Sequence, residues 1–402
     1  MRAYSAASEE ARRARDLLKD WAGEGLLTAE QYQRMEREAV CDLRRTNIFL
    51  RLVLFLFTLI VVGAAVGLFF VVFLPHPGDL TIGIFLVIFA ALSYAAAEFA
   101  VSKARLYRYG IEEALAACSV GFLSVGLYII FFGGLFSSRM PGGMGCLVPA
   151  AGAALSLWIW HRFGLPYAPL AAMIFAVWLP GYWTSSPAAR HVIVAAFYLA
   201  GVMTVATVRR RHRFTYLNSE YSIAEALLWL GIYLAINLQL SPLNLRGLGS
   251  GVSVSAAQFP RSFYWATWVL IWCLPPVVLA RGVRGKDRFV MLAGTIAAVL
   301  TLITNKPYLG WQRHTWDPML LGAFLIGAVL LIQRWLAKAQ GGVRRGFTAQ
   351  RLSAKDKRWM NFAISTMALA SPDIVTPGPQ KSTPEAHFGG GDSGGGGASS
   401  DF

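Results

Sequence analysis

LVLFLFTLIVVGAAVGLFFVVFL, residues 52–74, decides the fold of this chain. It is a run of 23 residues without a charge, and a helix needs roughly 20 apolar residues to cross the hydrocarbon core of a bilayer. Arg44, Arg45 and Arg51 stand just ahead of it, and a basic flank marks the end of a span that stays in the cytoplasm. The rest of the chain has the same character. Its apolar fraction is 55%, its charged fraction 15% and its mean hydropathy +0.49, more than a soluble domain of this length needs for its core. These values predict an all-α, polytopic membrane helix bundle.

Further charge-free runs follow at 80–97, 114–136, 144–160, 166–183, 192–208, 226–240, 262–280, 289–304 and 318–333. With the first they predict about ten transmembrane helices. Assigning the intervening segments alternately to the two sides, with the N-terminus inside, places 31 of the 37 Lys and Arg in the cytoplasm and 6 outside. Such segregation is the positive-inside rule, and an even number of spans puts both termini in the cytoplasm. The same asymmetry accounts for the net charge of +15, which in a soluble protein would suggest a nucleic-acid partner. No nucleic acid is expected here. The connections are mostly short, so consecutive helices should lie antiparallel as neighbours.

Residues 1–46 read as a small helical hairpin. Ser8 to Trp21 is rich in helix formers, Gly23 and Gly25 interrupt it, and Thr28 with Gln31 has capping-box spacing for a second helix. So small a hairpin buries too little to be stable alone. It must lean on the membrane domain, on a cytoplasmic protein partner or on a second copy. No early apolar h-region precedes the first span, which is therefore expected to act as an uncleaved anchor. Trp21, Gly25, Leu26, Leu27, Thr28, Glu30 and Gln31, standing as W-x-x-x-G-L-L-T-x-E-Q ahead of a multispan region, resemble the N-terminal signature of the bacterial predicted membrane proteins grouped as domain of unknown function twenty-one fifty-seven. That resemblance implies a bacterial inner-membrane protein with a cytoplasmic hairpin, and it implies no activity.

The transmembrane domain runs over 47–336 and is followed by a basic segment, 337–370. Within it Ser353 to Leu369 could lie as an interfacial helix drawn to anionic lipids, or simply be the positive-inside flank of the last span. Residues 371–402 are rich in Gly, Ser and Pro and read as disordered. The G-D-S-G-G of residues 391–395 lies in that run, where no packed fold could hold a nucleophile against its base. The GLGSG of 247–251 lacks the lysine of a phosphate loop. Six scattered histidines and four scattered cysteines offer no metal-ligand or disulfide spacing, so neither metal nor cofactor is expected.

Five features remain. Prolines 149, 166, 169 and 180 and several glycines interrupt the fourth and fifth spans, which makes them either a kinked pair or the lining of a wet path. YGIEEAL at 109–115 and YSIAEAL at 221–227 echo one another, through duplication or by chance. Gly63 and Gly67 form a G-x-x-x-G that permits close helix contact, and Asp317 with Pro318 looks like the cap and first turn of the last span. Glu98, Glu113 and Glu225 are the carboxylates nearest apolar spans. An ionisable group in a bilayer is a functional candidate by default, although all three sit at cytoplasmic ends where they can reach water or pair with Lys103, Arg105 or Arg209.

The functional expectation is a non-enzymatic integral membrane protein: a small-solute transporter or permease with its path near the fourth and fifth spans and Glu113 or Glu225. The alternative is a scaffold or regulatory protein that recruits partners or lipid through the hairpin and basic tail, alone or as a homo-oligomer. A hydrated midplane cavity reaching both carboxylates would favour the first, and a fully packed bundle the second. A membrane hydrolase ranks last, for want of a paired nucleophile and base.

Overall fold

The computed structural model describes residues 2–23, 25–39, 43–44, 46–74, 78–133, 144–212, 218–240, 259–311, 316–338, 343–344 and 347–348. The expected interfacial helix at Ser353 to Leu369, the Gly/Ser/Pro tail, the G-D-S-G-G run and the GLGSG loop lie outside the described residues.

The N-terminal hairpin is α1, Ala6–Gly23, and α2, Ala29–Glu38. Thr28 opens α2 with both halves of the capping box: its hydroxyl accepts from the Gln31 N–H at 3.3 Å, and the Gln31 side chain accepts from the Thr28 N–H at 3.0 Å. Of the hairpin's apolar side chains, Leu18 is buried, while Leu17, Trp21 and Leu26 are exposed. The hairpin's anchor lies instead ahead of α1. Ala3 N–H donates to the Arg162 carbonyl at 2.9 Å, and Tyr4, 6% exposed, donates its hydroxyl to the Leu106 carbonyl at 3.1 Å. Among the described residues the hairpin thus leans on the membrane domain.

Ten apolar helices then follow in the expected places. They are α3 Ile48–Phe73, α4 Asp79–Ser102, α5 Ile111–Phe132, α6 Leu147–Phe163, α7 Ala168–Trp178, α8 Pro187–Arg211, α9 Asn218–Ile236, α10 Arg261–Gly285, α11 Arg288–Tyr308 and α12 Asp317–Ala337. Eight of these segments are long and apolar enough to span a membrane by length and composition alone. The two that fall short have local reasons. α7 gives way to a 3-10 turn, Leu179–Tyr182, at Pro180, whose ring nitrogen cannot continue the α-helical ladder, and α9 carries Asn218, Glu220 and Glu225 in its first turns.

Helix contacts are set by small residues. A methyl group at Gly126 of α5 would lie 2.8 Å from the Gly83 carbonyl oxygen of α4, and one at Gly282 of α10 would lie 2.8 Å from the Met291 nitrogen of α11, so these backbones touch, as glycine-mediated membrane packing requires. The G-x-x-x-G of α3 is different. A methyl at Gly63 or Gly67 meets nothing within 4 Å, and that contact is not made among the described residues. α3 and α12 are the least buried of the spans, with 6% and 0% of their apolar windows covered. The last helix also starts otherwise than expected: Trp316 is its cap residue, and Asp317 takes the Lys306 ammonium at 2.5 Å, since Lys306 at the end of α11 comes within reach. Beyond α12, Val343–Arg344 pairs antiparallel with Phe347–Thr348.

Among the described residues the core falls into four parts, the smallest being Ala226, Val278, Val290 and Ala293 of α9, α10 and α11. One lies between α7, α8 and α9 around Val194, Val202 and Ile232. Another joins Tyr4 to α4, α5 and α6 around Ala97 and Ile159. The third lies between α9, α10 and α11 around Tyr233 and Ile271.

Candidate functional site

Because consecutive helices run in opposite directions, the starts of α3, α5, α9 and α11 share one end of the bundle with the ends of α4, α6, α8 and α10. All three carboxylates singled out from the sequence lie there, each against an arginine. Glu98 in the last turn but one of α4 accepts from Arg162 of α6, with Nε to Oε2 at 3.1 Å. Glu113 in the first turn of α5, 3% exposed, forms a bidentate pair with Arg51 of α3, Nε to Oε2 being 2.9 Å. The Tyr167 hydroxyl lies beside it.

Glu225 is fully buried and sits in a larger cluster. Arg209 of α8 reaches it at 2.7 Å and Arg281 of α10 at 3.1 Å. The same Arg209 nitrogen lies 2.5 Å from Asp287, which accepts from the Ser222 hydroxyl at 2.6 Å and caps α11 through the Phe289 and Val290 N–H groups. One cluster therefore ties α8, α9, α10 and α11 together. Each Glu225 oxygen thus meets a different arginine, and one Arg209 nitrogen is shared between two carboxylates. Glu113 and Glu225 share no partner, so the structure does not bring them into one site.

The echo sequences meet at this end too. Glu220, just before the second copy, takes Arg108, just before the first, at 3.5 Å, and Arg2 at 2.5 Å. The copies nevertheless differ in conformation. Gly110 has φ +108° and precedes α5, and a methyl there would lie 2.3 Å from the Arg51 carbonyl oxygen, whereas its counterpart Ser222 is already inside α9.

A cavity of about 890 Å³ opens at the same arginine-rich end. Arg2, Tyr4, His161, His212 and Tyr221 ring its mouth, and Met173 of α7 and Leu228 of α9 form its floor. Leu157 of α6 and Phe197 of α8 stand at its sides. At 1.5 Å per residue, Leu228 lies ~15 Å beyond the start of α9 and Phe197 ~21 Å before the end of α8, so the cavity reaches well into a hydrocarbon core of about 30 Å. It is bounded by the proline-rich fourth and fifth spans, as expected for a path, but Glu98, Glu113 and Glu225 are not among its lining residues.

Two features were missed in the sequence. Glu112, 2% exposed beneath Tyr4, accepts from the Tyr109 N–H at 2.7 Å with one oxygen, and its other oxygen has no hydrogen-bond partner among the described residues. Burial, and then the Glu112 charge, pushes the Tyr4 phenol pKa up. Toward the opposite end, Asn237 donates to the Tyr233 hydroxyl at 2.9 Å and to the Thr304 hydroxyl at 3.0 Å, and Tyr233 lies 2.9 Å from the Thr301 hydroxyl. All four are essentially buried. The signal was present in their spacing, since 233 with 237 and 301 with 304 each place two polar side chains on one helix face within an apolar run.

The fold and these features define a class: a multi-pass, membrane-embedded, all-α protein. Comparison with protein-family models, with curated proteins and with solved structures finds no match to this chain.

Proposed function

We propose that this chain is a non-enzymatic carrier of a small solute in a bacterial inner membrane, threaded with both termini in the cytoplasm. The observation that supports it is the cavity of about 890 Å³ between α6, α7, α8 and α9. Packed protein interiors leave few voids larger than a water, whereas sites for small molecules run from about 300 to 1,000 Å³. Its mouth faces the end that holds most of the cations, the cytoplasmic end by the positive-inside rule. Bacterial origin draws on the resemblance of the hairpin signature. Glu98, Glu113 and Glu225 are then staples that hold the helix ends and take no part in carriage.

A scaffold recruiting a cytoplasmic partner, or anionic lipid through the basic segment after α12, is the second reading. The exposed Trp21, Leu26 and Met35 on the hairpin support it. Two-sided accessibility separates the readings. With the four native cysteines replaced by serine, an Ala176→Cys thiol on the cavity wall should react with a membrane-impermeant reagent in inside-out vesicles. A carrier also exposes it in right-side-out vesicles during turnover. Reaction from one side only, under every energised and de-energised condition, would overturn carriage and leave the scaffold.

A further inference from the structure

We infer that Glu112 is a proton-binding site, and that a proton held there locks residues 2–4 as a strap along the mouth of the cavity. Docking of the strap takes up one proton, and its release returns that proton to water.

The site follows from the pairing of its neighbours. The other buried acids among the described residues each have an arginine: Glu9 and Glu220 have Arg2, Glu113 has Arg51, and Glu225 and Asp287 have Arg209. Glu112, 2% exposed, has none. One of its oxygens accepts from the Tyr109 N–H at 2.7 Å, and the other is buried without a donor among the described residues. Arg51 stands near, but gives both Nε and Nη2 to Glu113, whose charge opposes a second carboxylate beside it. The start of α5 favours an anion, by less than it costs to bury an unmatched charge. A neutral carboxyl with one idle group is far cheaper to bury.

The strap is what keeps Glu112 from water. Tyr4, 6% exposed, lies over it and packs edge-on to Tyr107, with ring centroids 5.0 Å apart. Its hydroxyl holds the Leu106 carbonyl and the Ala3 N–H holds the Arg162 carbonyl. Arg2 and Tyr4 also border the cavity, so one short segment covers the acid and forms one side of the mouth. When it lifts, Glu112 is hydrated and the carboxylate becomes the stable form. The docked chain thus binds the extra proton, and docking weakens as the pH rises, by up to about tenfold per pH unit for one proton. An acid held by an arginine, as Glu9 is, acts in the opposite sense. Of the other groups around α5 and the strap, Glu98 on α4 and Arg162 on α6 answer each other, and Tyr107 and Tyr167 are phenols, a type that titrates near about pH 10. His161 and His212 at the mouth are of the type that changes charge near neutrality, and substitution tests them.

The test uses the full-length protein in nanodiscs with the four native cysteines replaced by serine. Docking is read from the maleimide reactivity of Ala3→Cys, divided by that of Ala7→Cys at an exposed position of α1, which cancels the thiol's own titration. From about pH 5 to about pH 9, below the range of phenols, the ratio should rise in wild type and stay low and flat in Glu112→Gln. Glu9→Gln should keep the slope, and Tyr4→Ala should give a high ratio throughout. Infrared difference spectra should show a protonated-carboxyl band at neutral pH that is lost in both Glu112→Gln and Tyr4→Ala. A flat wild-type ratio, or no such band, would overturn the proton site. Loss of the slope on changing His161 and His212 to Gln would overturn it in favour of the histidines.

The strap's action on a carrier rests on the function proposed above, whereas the proton linkage does not. At high pH, Ala176→Cys should react faster from the cytoplasmic side with Glu112 in place than with Glu112→Gln, and equal rates would overturn the strap's hold on the mouth. A pH slope without two-sided access would retire carriage and leave the proton site. Two-sided access without the slope would retire the proton site alone.

Discussion

Replacing Glu225 by Gln should destabilise the bundle far more than replacing Glu98 by Gln, although both remove one carboxylate from the same end. Glu225 is fully buried and holds Arg209 and Arg281 at 2.7 and 3.1 Å. Breaking a buried pair by removing one partner costs about 3–5 kcal/mol, because the other charge is left uncompensated. Here the loss falls near the lower bound of ~3 kcal/mol: Arg209 keeps Asp287 at 2.5 Å, and the Arg281 side chain, 43% exposed, can turn to water. Glu98 and Arg162 have side chains that are 28% and 26% exposed. An exposed pair is worth ~0.2–1 kcal/mol, so Glu98→Gln should cost about 0.5 kcal/mol. The difference of ~2.5 kcal/mol is roughly 70-fold in the unfolding equilibrium, well within reach of reversible denaturation in mixed micelles under conditions shown to be two-state. Equal losses for the two variants would refute the burial argument. A Glu225→Gln protein as stable as wild type but inactive in flux would return Glu225 to the candidate site.

Gly110→Ala should be severely destabilising, by more than ~3 kcal/mol, because φ is +108° and the new methyl would meet the Arg51 carbonyl oxygen at 2.3 Å; loss of folded yield on size-exclusion chromatography checks it. Gly126→Val should cost about 1–3 kcal/mol by forcing α4 from α5, whereas Gly67→Val should leave intrachain stability unchanged in the same denaturation, its site being open. Tyr4 offers a pH dependence. Its phenol has a folded pKa raised above the model-peptide value of 10.0 by burial, so the stability it contributes is intact below pH 10 and is lost as the pH rises further. Limited proteolysis of the hairpin should therefore accelerate above pH 10 in wild type, and Tyr4→Phe should remove that dependence at the expense of about 1 kcal/mol for the lost bond to the Leu106 carbonyl.

Much of this protein could be read from local pattern. The ten apolar helices stand where charge-free runs placed them, the Thr28 capping box closes as its spacing required, and Arg44, Arg51, Arg105, Arg108 and the arginines of 209–211 sit at one end of the bundle. These features depend on residues within a turn or two of one another, or on the summed charge of a loop, and neither needs to know which helix packs against which. The two short helices mark where that logic weakens: α7 ends early at a proline, and α9 spends its first turns on ion pairs.

The sequence by itself determined that this chain lies in a membrane, roughly how many times it crosses and which ends gather together. Only the tertiary structure decided that Glu225 answers Arg209 and Arg281, that Glu113 answers Arg51, and that a cavity opens between α6, α7, α8 and α9 with Arg2 at its mouth. In lipid a buried face and an exposed face are equally apolar, so membrane helices carry little of the amphipathic stripe that reveals packing in soluble proteins. Partners more than a hundred residues apart, such as Arg108 and Glu220, are then chosen by shape and by the matching of single charges, which no window of sequence contains.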